Sequence, residues 1–145
     1  MKAKEFLKQY EYANRRALRL RAEYEAELEQ IDAIGSTLGG EPGMPHGTGI
    51  SRQTENKAIR LADKALKWKE AELDAIEKRQ EIFELIWDIQ GVEGEVLYEK
   101  FINLRTWEEV ADKVNYTERG IYNVRDRAYA IVEERLKTVH GISCL

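Results

Sequence analysis

The chain has 145 residues, 43 % hydrophobic and 34 % charged, with only two prolines and a net charge of −4. That balance favours a helical protein with long solvated faces over a compact β fold, and it builds in no general attraction for nucleic acid. A single cysteine, Cys144, excludes a disulfide framework within the chain and suits a reducing cytoplasm. No stretch is apolar enough to span a bilayer, and MKAKEFLKQYEYANRR lacks the apolar run of a signal peptide.

Residues 3 to about 33 read as one long helix. Phe6, Tyr10, Ala13, Ala17, Leu20, Tyr24, Leu28 and Ile31 recur three or four apart. Between them lie Arg15, Arg16, Arg19 and Arg21, then Glu23, Glu25, Glu27 and Glu29, so the charge changes sign along the helix. Such an arginine cluster can touch phosphate, but on a long helix it more often forms a solvated face or pairs with an acidic neighbour. Residues 35–50, GSTLGGEPGMPHGTGI, hold six of the ten glycines and both prolines, which predicts a linker or long loop. No GKS or GKT follows and no strand precedes it, so the glycines do not read as a phosphate loop. His46 and His140 stand far apart and have no companion ligands.

A second long helix is predicted from Ser51 or Thr54 to about Gln90. Ile59, Ala62, Leu66, Lys69, Leu73, Ile76, Gln80, Phe83 and Trp87 alternate three and four apart, a heptad seam with Lys69 and Gln80 as polar interruptions. This seam is expected to pack on the first helix as an antiparallel hairpin, or on a second protomer. Gly91 and Gly94 then mark a hinge, which divides the chain into a helical hairpin or coiled coil over 1–90 and a module over 91–145. Glu95 to Leu104 reads as a short helix whose Leu97, Phe101 and Ile102 cover the core of the next two helices.

Thr106 to Arg127, TWEEVADKVNYTERGIYNVRDR, reads as two helices joined by a tight turn. Thr106 and Glu109 have capping-box spacing. Trp107, Val110, Ala111 and Val114 make one apolar face, and Asn115 suits a left-handed helix end. Thr117 is the next N-cap, followed by Glu118 in the positive first turn. Ile121, Val124, Ala128, Ile131 and Leu136 continue the inward stripe. The outward face holds Arg119, Tyr122, Asn123, Arg125 and Arg127, side chains suited to a helix in a major groove because Arg can bridge guanine and Asn adenine. The same spacing also fits a plain helical hairpin. From Val92 to Leu145 eight Lys/Arg meet ten Asp/Glu, so the usual basic footprint is missing and binding would rest on local placement.

The stretch EVLYEKFINLRTWEEVADKVNYTERGIYNVRDRAYAIVEERL resembles region 4 of bacterial sigma factors. It is more similar still to that module in phage-encoded regulators of late transcription, of the ArpU/RinA type. Leu97 and Phe101, the TWEEVA run, Tyr116-Thr117 and Ala128 carry the resemblance, which extends to MPHGTGIS and the helix after it. Leu104 and Gly120 depart from the pattern, which usually has a small turn residue and a longer polar side chain there. The resemblance implies an all-α protein with a sigma region 4-like helix-turn-helix. It implies promoter DNA as partner, with host RNA polymerase as a further one, and a place at the nucleoid of a bacterial host cell. The DNA-contacting set is then Thr117, Arg119, Gly120, Tyr122, Asn123, Arg125 and Arg127. A homo-oligomer is expected from the seam. A small terminase-like packaging protein and a polymerase-docking module that never reads bases remain open alternatives. No Ser/His/Asp set, no Cys–His pair and no metal-ligand spacing occurs, so neither enzyme activity, metal nor cofactor is expected.

Overall fold

The computed structural model describes residues 2–38 and 52–143, without the side chains of 32–38, Gln53 and 140–143. Most of the Gly/Pro-rich stretch, with His46, and also Cys144 lie outside the described residues, as does the side chain of His140. Every described element is helical, so the fold is all-α. In order they are α1 (Ala3–Leu38), α2 (Arg52–Ile86), α3 (Gly91–Leu97), α4 (Trp107–Val114) and α5 (Glu118–Ser143). Among the described residues no helix is long and apolar enough to cross a membrane.

Residue contacts group the chain into two compact units, residues 14–73 and residues 1–13 with 74–145. In the first, α1 and α2 run antiparallel. Tyr24 stacks on Trp68 with ring centroids 5.4 Å apart, and the Arg21 guanidinium lies 5.6 Å from the same indole. Lys64 pairs with Glu27 at 3.2 Å. The ion pair across the hairpin thus joins a glutamate of α1 to a lysine of α2, while Arg21 of the arginine cluster pairs with Glu25 on its own helix at 3.1 Å.

The hairpin is antiparallel as expected, but most of the seam of α2 is not what packs: of its large apolar residues only Phe83 is half-buried, against the core. Ile59, Leu66, Leu73 and Ile76 are 60, 58, 62 and 58 % exposed. The buried positions of α2 are Ala71, Ala75, Ile82 and Ile86, with Trp68 half-buried. These too recur at helical spacing. The helix is thus apolar on two sides, and the side with small alanines, which permits a closer backbone approach, is the one that is filled.

The second unit has two joined cores. Ala3 and Leu7 from the start of α1 pack with Ile82, Ile86, Leu97, Phe101, Ile102, Ala128, Val132 and Leu136. Val96, Val110, Ala111, Ile121 and Val124 form the other core. In the inward stripe of α5, Val132 is buried in place of Ile131, which was expected to point inward and is only half-buried.

Helix ends also differ from the periodicity. The first helix continues through Gly35 to Leu38, and the second stops at Ile86. In place of a single helix over 95–104, α3 starts at Gly91 and widens into a π-helical turn, Tyr98–Ile102, whose last bond runs from the Asn103 N–H to the Tyr98 carbonyl at 3.1 Å. Gly91 has φ +85°, a conformation that L side chains rarely adopt. Gly94 is required for another reason: a Cβ there would lie 2.0 Å from the Ile89 carbonyl oxygen.

Candidate nucleic-acid interface

The α4–turn–α5 pair is built by three local devices. The Thr106 hydroxyl oxygen accepts the Glu109 N–H at 3.2 Å and its O–H donates to the Glu109 carboxylate at 3.3 Å, which fixes the start of α4. Asn115 ends α4 with φ 59° and ψ 43°, and the next N–H, from Tyr116, donates to the Ala111 carbonyl at 2.9 Å. The Thr117 hydroxyl oxygen then accepts the Gly120 N–H at 3.0 Å and caps α5.

Apolar contact holds the two helices at this turn. Val110 and Ala111 of α4 meet Ile121 and Val124 of α5 over Val96 of α3. Trp107 touches both cores, with its ring 6.2 Å from Phe101 and 6.3 Å from Tyr122, both edge-on, and the Lys100 ammonium 5.4 Å from its centre. Glu99 ties the π-helical turn to α4. Its carboxylate accepts from Arg105 at 2.6 Å, from Asn103 at 3.1 Å and pairs with Lys113 at 3.2 Å. Burial pushes this carboxyl up, but the hydrogen bonds from Asn103, Arg105 and Lys113 outweigh burial and hold it below its ordinary value.

The seven expected contact residues separate into distinct groups. Arg119 and Asn123 are exposed on the first two turns of α5. Thr117 is exposed but its hydroxyl serves the cap. Gly120 sits against that cap, where a Cβ would come within 3.1 Å of the threonine oxygen. Tyr122 is half-buried against the core and Trp107. Arg125 is folded back along the helix, its guanidinium 4.9 Å from the Tyr122 ring and 5.9 Å from the Tyr129 ring, and paired with Asp126 at 3.1 Å. Arg127 pairs with Glu93 of α3 at 3.2 Å.

Sequence reasoning missed Tyr129 and Glu93 as partners of these arginines. Tyr129 stands four residues beyond Arg125, one turn along the helix, so that contact was open to a spacing argument. Glu93 is separated from Arg127 by 34 residues, and only the tertiary fold brings them together. No group of three or more His, Cys, Asp or Glu side chains among the described residues could hold a metal ion. Compared with known proteins, the chain matches no family, no curated protein and no solved structure.

Proposed function

We propose that this protein reads duplex DNA through the first two turns of α5, as a phage-type regulator of late transcription with a sigma region 4-like helix-turn-helix. The observation that carries the reading is the exposure of Arg119 and Asn123 together at the start of a capped helix, beside a three-residue turn held by Asn115 and Thr117. In a helix-turn-helix, N-terminal residues of the second helix meet base edges. Arg119 has the donors for guanine and Asn123 the donor and acceptor for adenine. Arg127, further along, is the residue for a phosphate. Host RNA polymerase is the second partner in this reading, and the nucleoid of the host cell its place of action.

One observation favours the polymerase-docking reading. Arg125 and Arg127 are both paired with carboxylates, of Asp126 and Glu93, which leaves little positive potential on the face. Salt titration of binding separates the two readings, using fragments selected from the source genome and their scrambled versions. Arg119→Ala and Asn123→Ala each weaken the selected site by about 1–3 kcal/mol and relax one base position. Arg127→Ala weakens all duplexes alike and flattens the salt dependence by about one ion. If all three variants bind both duplexes like the parent chain, α5 does not read DNA and docking on polymerase takes its place.

A further inference from the structure

We propose that the exposed stripe of α2 is the docking face for a second copy of this chain, with the two α2 helices antiparallel. Ile59, Ala62, Leu66, Lys69, Leu73 and Ile76 alternate strictly three and four apart. That period of 3.5 keeps a stripe facing one straight, supercoiled neighbour; it is not the pattern of a patch shaped for a curved surface. Its four large aliphatic side chains are each about 60 % exposed in the single chain, while the alanine-bearing side of α2 is already buried. A stripe meeting its own copy closes the assembly at two chains, because the same patch is used up on both.

Charge selects both the partner and its direction. Residues 57–69 hold five Lys/Arg and one Asp, whereas residues 70–77 hold four Asp/Glu and no Lys or Arg. An antiparallel copy brings the basic block of one helix to the acidic block of the other. A parallel copy stacks like on like and sets Glu72 beside Glu77. The antiparallel register that fits places Ile59 of one copy opposite Ile76 of the other, Ala62 opposite Leu73 and Leu66 opposite Lys69. Small then meets large at the Ala62 layer. Lys69 lays its stem along Leu66 and carries its ammonium out to solvent. Arg60 comes beside Glu77 and Lys67 beside Glu70 on the same flank.

The test uses the full chain. Sedimentation equilibrium at high micromolar concentration gives twice the 16.8 kDa mass of the single chain. The double variant Leu66→Glu, Leu73→Glu sediments at the single mass, with unchanged helical signal and melting temperature in dilute solution, because both side chains are solvated in the single chain. A parent chain that stays single at that concentration, or a double variant that still pairs, overturns the proposal. Direction is read with a nitroxide label at Lys57→Cys in a Cys144→Ser background. Antiparallel pairing separates the two labelled positions by about 30 Å, from 1.5 Å per residue along the helix. A separation near ~10 Å, the distance between adjacent helix axes, overturns the antiparallel arrangement.

Discussion

Gly94 has less room for a side chain than Gly91 or Gly120. A methyl group at this position meets the Ile89 carbonyl oxygen at 2.0 Å; that oxygen is backbone and a methyl has no rotamers, so no side-chain movement can relieve the clash. Gly94→Ala therefore destabilises the C-terminal unit by about 3 kcal/mol or more, the upper range for overpacking. Urea unfolding followed by Trp fluorescence measures it; a change within about 0.5 kcal/mol, the usual scale of a surface substitution, would mean that α3 approaches Ile89 differently. The sequence could announce the two glycines as a break in the periodicity. It could not distinguish Gly91, needed for its φ, from Gly94, needed for its missing side chain, because the second requirement comes from a contact outside the helix. The same limit applies to Arg125. Its type and spacing suggested an outward contact, yet two rings one turn away on either side offer its guanidinium a nearer place.

Caps and turns were the best legible elements. Thr106, Asn115 and Thr117 act through neighbours three to five residues away, so their roles follow from local spacing. The face of α2 was not legible in this way, since two apolar stripes satisfy one helix equally well and only the partner decides between them. The π-helical turn was also hidden, and its anchor is ionic. Because the folded-state pKa of Glu99 lies below the ordinary value, its pairing adds stability above the unfolded pKa of about 4.3 and loses it as pH falls through the lower folded value. Stability of the parent chain thus falls on going from neutral to acid pH, and Glu99→Gln removes part of that slope. Urea midpoints of both proteins across pH 7 to pH ~3, a range chosen to span that transition, provide the comparison. Parallel curves would show that Glu99 contributes nothing to the pH dependence.

At the scale of the whole molecule, composition alone pointed to the all-α class, and the described residues bear this out. The grouping of elements is less local. Leu7, near the start of the chain, is fully buried with Ile82, Ile86, Phe101 and Leu136, so the first turns of α1 and the end of α2 complete the core beneath the helix-turn-helix. Two consequences can be measured. Leu7→Ala lowers the stability of this unit by about 2–5 kcal/mol, the range for a leucine removed from a packed core. A fragment of residues 91–145 leaves Leu97, Phe101, Val132 and Leu136 without these partners and does not unfold as a single sharp transition. Calorimetry of that fragment, set beside the full chain, decides the matter: a sharp transition at the parent temperature would show that the module is self-sufficient.

The pairing of Arg127 with Glu93 bears on affinity in a way that has nothing to do with holding α3 to α5. An exposed ion pair of this kind is worth at most about 1 kcal/mol to the fold. Under the proposed reading of DNA, however, Glu93 would be a resident competitor to an approaching duplex, an anion already seated on the guanidinium. Engaging Arg127 would then exchange one negative group for another, so the contact would be weaker than that of an unpaired guanidinium. Glu93→Gln frees the guanidinium. On that reading binding to random and selected DNA alike then tightens, and Arg127→Ala in the same background abolishes the gain. Unchanged affinity would place Arg127 away from the DNA backbone.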